Sequence, residues 1–185
     1  MSQAMRESGQ PLAGAPFVAY TQGQLHVEGV AVGELAARHG TPLFVYSRAA
    51  ILSVLASYQR GLAGRNALVC YAVKANSSLA LLELLADAGC GFDIVSGGEL
   101  ERALAVKARP EKIVFSGIGK TDDEIQRALQ VGIHCFNVES LAELEAINRI
   151  AQRLGRRAPV SIRVNPDVDA RTHPYISTGL RGNKF

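Results

Sequence analysis

Gly91-Phe92-Asp93-Ile94-Val95-Ser96-Gly97-Gly98-Glu99-Leu100 reads as a strand that runs directly into a helix. Phe92, Ile94 and Val95 supply the apolar, branched and aromatic character of a buried strand. Ser96 followed three residues later by Glu99 is the capping-box pattern, in which a hydroxyl and a carboxylate satisfy backbone N–H groups that a helix start leaves free. The pattern recurs as Thr121-Asp122-Asp123-Glu124 and Ser140-Leu141-Ala142-Glu143, each after another apolar run. Strand centres fall near Val69, Phe92, Val114, Phe136 and Ile162, some 22 to 26 residues apart, the length of one strand-plus-helix unit. Gly89, Gly132 and Gly155 stand where the intervening helices should stop, and Pro110 is expected to end the second. On the helix after Ser140, Leu141, Leu144, Ile147, Ala151 and Leu154 form an apolar stripe. Consecutive units of this kind imply parallel strands, in a doubly wound sheet or a (β/α)8 barrel. No Gly-x-Gly-x-x-Gly follows the first strand, which favours an α/β fold of the TIM-barrel type.

Upstream of the repeat the signals are shorter. Residues 1–16 are polar and rich in Gly and Pro and read as a flexible arm. Phe17 to Val27 suggests a hairpin around Thr21-Gln22-Gly23, and Val32–His39 a short helix closed by Gly40. Leu43-Phe44-Val45-Tyr46 reads as a strand. Ser47 then caps a helix with Ile51, Val54, Leu55 and Tyr58 on one face, ending near Gly61.

The 185 residues are 48% hydrophobic with a net charge of +3, enough for one sizeable core. The 20 basic and 17 acidic residues are interspersed, which argues against a nucleic-acid partner and suits an anionic small molecule. The N-terminus has no apolar segment of signal-peptide type, and no apolar run approaches a membrane span. An odd count of three cysteines without paired spacing agrees with a reducing compartment, so a cytoplasmic protein with buried, inert thiols is expected.

In a barrel, alternate strand residues point inward and active sites lie at the strands' C-terminal ends. Tyr71-Ala72-Val73-Lys74-Ala75-Asn76 closes the first strand with a lysine on the face of Cys70 and Ala72. Such a lysine is either a solvated strand end or an amine partly desolvated for Schiff-base chemistry. Asp93 and Arg163 lie opposite the bulky residues of their strands, so Lys74, Asp93 and Arg163 are expected in one mouth. They form a site or a structural ion network. Glu99, third residue of a capping box, could serve only its helix. Gly119-Lys120-Thr121 has the look of a nucleotide-binding loop, but the glycine required five residues earlier is Val114. His134 opens a strand and reads as structural, and no His/Cys cluster has zinc-ligand spacing, so no metal is expected.

With Tyr71–Asn76, Gly91–Leu100, Phe136-Asn137-Val138-Glu139-Ser140 and Arg163-Val164-Asn165-Pro166 together, the chain resembles the pyridoxal-phosphate enzymes of the alanine-racemase-like barrel fold. The first two stretches also look like ornithine and arginine decarboxylases. Thr172-His173-Pro174-Tyr175-Ile176-Ser177-Thr178-Gly179-Leu180, continuing to Asn183-Lys184-Phe185, and the entry from Glu34 to Tyr46 are similar to diaminopimelate decarboxylases. The resemblance implies pyridoxal 5'-phosphate held by Lys74, with Asp93, Glu99 and Arg163 around it. It implies decarboxylation of meso-diaminopimelate to L-lysine by a homodimer. Residues 17–47 would then accompany a C-terminal β-domain, and 48–185 would be the first part of the barrel. The family's later elements, among them its glycine-rich phosphate loop, have no counterpart before Phe185, so an N-terminal fragment is expected. The alternatives are an ornithine- or arginine-type decarboxylase and a non-catalytic pyridoxal-phosphate-binding regulator.

Overall fold

The computed structural model describes residues 15–164, so the arm before Ala15 and the stretch from Asn165 onward lie outside the described residues. The chain divides into two compact units, Met1–Arg65 and Asn66–Phe185.

In the first unit, β1 (Val18–Thr21) and β2 (Gln24–Val27) form the antiparallel hairpin, with β3 (Val30–Ala31) paired to β2. Gln22 and Gly23 both take positive φ, the requirement of a tight two-residue turn. The short helix α1 spans Val32–His39. In α2 (Arg48–Gly61), Ser47 caps the helix by accepting from the Ala50 N–H at 2.9 Å. Glu28 Oε1 accepts from the Ser47 hydroxyl and the Ala49 N–H, and these bonds, the hydroxyl first, hold its carboxyl below the usual range. Leu43–Tyr46 is not a strand. It finds no partner for its backbone groups among the described residues, and Phe44 is 85% exposed. Of the α2 stripe only Leu55 is buried, while Val54 and Tyr58 face outward.

The second unit is a five-stranded parallel sheet in strictly sequential order: β4 (Cys70–Ala72), β5 (Gly91–Ile94), β6 (Ile113–Phe115), β7 (Cys135–Val138) and β8 (Val160–Ile162). A doubly wound sheet reverses its order at a switch point; this one does not, and it is part of a (β/α)8 barrel. Helices α3 (Leu79–Asp87), α4 (Gly97–Ala105), α5 (Asp122–Val131) and α6 (Leu141–Arg153) connect the strands. The core lies between sheet and helices: Phe92, Ile94, Phe115 and Phe136 are fully buried, as are Leu82, Leu100, Ile125 and Ile150 from the helices. Burying each such side chain contributes about 1.5–3 kcal/mol. The α6 stripe begins a turn later than its sequence suggests, because Leu141 is exposed at the helix start and Ile147, Ile150 and Ala151 carry the burial. Helix α4 stops at Ala105, and Pro110 opens a 3-10 turn (Pro110–Lys112) instead of ending the helix.

The three caps differ in reach. Thr121 and Glu124 form the reciprocal box, whereas Glu99 and Glu143 reach one residue further back, to the Val95 and Glu139 N–H groups. Glu124 also accepts from the Gly97 N–H at 2.6 Å, tying the starts of α4 and α5. Burial pushes the Glu124 carboxyl up, but the Thr121 and Gly97 N–H bonds outweigh it and hold it low. A carboxyl held low in the folded state contributes stability that is present above its unfolded pKa, near 4.3, and lost as pH falls through the folded value. The melting temperature should therefore drop below about pH 4.5, and Glu124→Gln should flatten that acid slope. Thr121→Ala should lower stability by about 1 kcal/mol in denaturant melts.

Candidate active site

The C-terminal ends of the barrel strands open on a cavity of about 710 Å³ whose lining includes Lys74, Asp93, Ser116, Asn137, Glu139 and Arg163. Strand β4 ends at Ala72, paired in register with Asp93, and the chain then turns through a 3-10 segment, Val73–Ala75. Lys74 is thus carried on a turn, not on the strand. Val73 is fully buried and anchors that turn, while Lys74 is exposed on the cavity among the described residues. The Tyr71 hydroxyl donates to the Asn76 carbonyl, and Asn76 Oδ1 accepts from the Ser78 N–H, fixing the exit into α3.

Across the floor runs a directed chain of hydrogen bonds. Asn137 Nδ2 donates to Ser116 Oγ at 2.8 Å, and Ser116 donates to Asp93 Oδ1 at 2.5 Å. Asp93 is thereby fixed as an acceptor facing the cavity. Beside it, Glu139, with only 3% of its side chain exposed, accepts from Arg163 Nη1 at 2.9 Å and from the Gly117 N–H at 3.2 Å. Sequence alternation placed Lys74, Asp93 and Arg163 together, and the cavity does bring them together. Lys74 makes no ion pair among the described residues, so the three charges do not join in one ion network, and Arg163 pairs with the Glu139 carboxylate at 2.9 Å. Glu99 is not among the residues lining the cavity; it holds Val95, which is.

Ser116, Asn137 and Glu139 are the residues sequence reasoning missed. Asn137 alternates with the buried Phe136 and Val138 as Asp93 does with Phe92 and Ile94, so the rule that found one finds the other. Ser116 lies just past β6, two residues beyond Val114, which is in register with Asp93. Of the three thiols expected to be buried, Cys90 is, while Cys70 and Cys135 are half-buried; burial raises Cys70 to about 11 and pushes Cys90 and Cys135 up as well, which disfavours the thiolate. His134 contacts the Glu111 carbonyl through Nδ1 and stands outside the cavity.

Residues 48–185 match the family described as pyridoxal-dependent decarboxylase, pyridoxal binding domain. The chain belongs to the pyridoxal-dependent decarboxylases. Over 166 residues, 90% of this chain and 40% of the relative, it is 61% identical to diaminopimelate decarboxylase from Pseudomonas aeruginosa. Among solved structures it is similar to diaminopimelate decarboxylase from Helicobacter pylori complexed with L-lysine, at 50% identity and TM-score 0.78 over 83% of this chain and 39% of that one. The M. jannaschi enzyme aligns at 43% identity and TM-score 0.84, covering 93% of this chain and 41% of that one. The chain spans about 40% of the length of the curated relatives it matches.

The cavity suits the family's cofactor by its own chemistry. An exposed primary amine can condense with an aldehyde, and a fixed carboxylate and a guanidinium held by Glu139 stand in the same cavity. Among the described residues no helix is long and apolar enough to cross a membrane.

Proposed function

We propose that this chain is the pyridoxal-phosphate-binding part of a diaminopimelate decarboxylase, converting meso-2,6-diaminopimelate to L-lysine and CO2. The observation that carries the reading is the Lys74 amine opening on the same cavity as the Asn137–Ser116–Asp93 chain and the Glu139–Arg163 pair. The names of the relatives at 49 to 61% identity support the substrate. Bound pyridoxal phosphate would supply an electron-withdrawing ring for the carbon that loses its carboxylate. Lys74 would hold the cofactor covalently, yield it to the substrate's amine, and then carry the proton that replaces CO2 on that carbon. Asp93, held by Ser116, would orient the lysine and keep a negative charge beside it. Arg163, anchored by Glu139, would stand beside the cofactor ring. Glu99 would act from outside the cavity by fixing the Val95 rim. Residues 17–47, with the exposed Phe44 and Tyr46, would pack on a β-domain supplied by later sequence, and the whole would work as a cytoplasmic homodimer.

Decarboxylation assayed on the complete polypeptide with meso-diaminopimelate, ornithine and arginine tests the substrate. The first should be fastest; faster turnover of either other would sink the assignment. Residues 1–185 alone should show no turnover and hold the cofactor only weakly, because β4 and β8 each pair with a single strand among the described residues. Stoichiometric, tight cofactor retention by the purified chain would contradict this.

A further inference from the structure

Outside the cavity lies a charged group to which the proposed chemistry gives no part. The Lys120 side chain is 0% exposed, and all three of its donors are used. Nζ donates to the Gly117 carbonyl at 2.6 Å, to the Asn137 carbonyl at 3.0 Å and to Glu143 Oε1 at 2.6 Å, and it sits 5.5 Å above the Phe115 ring. An ammonium is costly to bury, and this one is matched by a carboxylate, two carbonyls and a ring face. What it holds is specific. Gly117 and Asn137 both line the cavity, and Asn137 is the first donor of the chain that ends on Asp93. Glu143 uses its other oxygen to accept from the Glu139 N–H at 2.9 Å, and Glu139 in turn receives Arg163 and the Gly117 N–H. Both polar assemblies of the site are therefore tied to one buried cation.

We propose that Lys120 is a positioning residue: its ammonium locks the Gly117, Asn137 and Glu139 segments in register, and so sets the geometry of Asp93 and Arg163 without touching cofactor or substrate. This deepens the cofactor reading given above and rests on it for its effect on binding. The bland alternative is a buried ion pair that only staples the starts of α5 and α6. The two differ in a pair of variants. Lys120→Met leaves Glu143 without its counter-charge, so it should melt lower. Adding Glu143→Gln removes that unpaired charge and keeps an acceptor for the Glu139 N–H, so the double variant should regain stability, while the Gly117 and Asn137 carbonyls remain unheld.

The test measures three quantities on the complete polypeptide: melting temperature, pyridoxal phosphate dissociation constant, and amide hydrogen exchange at Gly117 and Glu139 against core amides such as Phe115. Lys120→Met should speed exchange at Gly117 and Glu139 selectively and weaken cofactor binding by roughly ten- to a hundredfold. The double variant should regain its melting temperature but keep fast exchange at Gly117 and the weakened binding. Wild-type exchange at both amides in Lys120→Met would overturn the proposal, as would affinity recovering in step with stability in the double variant. If the wild-type polypeptide attaches no cofactor at Lys74, the functional reading falls instead, and the exchange data alone decide whether Lys120 holds these segments.

Discussion

Replacing Lys74 by alanine should lower decarboxylation by the complete polypeptide about 10³-fold or more, and abolish covalent retention of pyridoxal phosphate through gel filtration. The magnitude follows from losing two roles at once. Lys74 offers the only lysine amine among the cavity-lining residues, and a positioned proton carrier is by itself worth on the order of 10² to 10⁴ in rate. The melting temperature, compared between the cofactor-free forms of wild type and variant because bound cofactor itself stabilises the fold, should hardly change. The side chain is exposed and unpaired among the described residues, and the turn that carries it is anchored by the buried Val73. A separation of this kind, activity lost and melting temperature kept, marks a functional residue. A variant that lost both together would place Lys74 in the scaffold instead. Conventional alternatives in the cavity are few: Arg163 cannot give up its proton, and the Asp93 carboxylate cannot hold an aldehyde covalently.

The second large effect is structural. Gly91→Ala should cost about 3 kcal/mol, at the upper end of what overpacking a core does. A methyl group there would stand 2.5 Å from the Lys112 carbonyl oxygen, 2.9 Å from Cys70 Sγ and 3.1 Å from Leu68 Cδ2. The nearest of these is backbone and cannot swing away. Gly91 begins β5, pairs in register with Cys70 on β4, and is followed two residues later by Asp93, so relief of the clash would shift the strand that carries Asp93. Gly33→Ala on α1 is the control: nothing lies within 4 Å of its added methyl, and its effect should stay within about 1 kcal/mol. Urea melts of both variants measure the difference, and equal midpoints would refute the packing argument.

The capping serines and threonine, the sequential strands and the inward set of Lys74, Asp93 and Arg163 were legible because each follows from a local rule. A hydroxyl three residues before a glutamate marks a helix start whatever surrounds it. Alternation within a strand gives the face of a residue once the bulky positions are known. What was not legible depends on partners distant in sequence. Leu43–Tyr46 has the composition of a strand, but a strand is made by pairing, and the described residues offer none. Lys74 was placed by extending alternation beyond Ala72, yet the strand ends there and the 3-10 turn carries the amine to the same cavity by another route. Lys120 follows two glycines, Gly117 and Gly119, as a phosphate-binding lysine would. Only the fold shows it bent back into the protein, where Glu143, 23 residues on, receives it.

The central claim is that Lys74 is the point at which pyridoxal phosphate is held. Borohydride reduction of the complete polypeptide loaded with pyridoxal phosphate, followed by proteolysis and mass spectrometry of the labelled peptide, addresses it directly. The account predicts one stoichiometric label, on the peptide containing Tyr71-Ala72-Val73-Lys74-Ala75-Asn76 and at its lysine. A stoichiometric label at Lys120, or at any lysine other than Lys74, would contradict it.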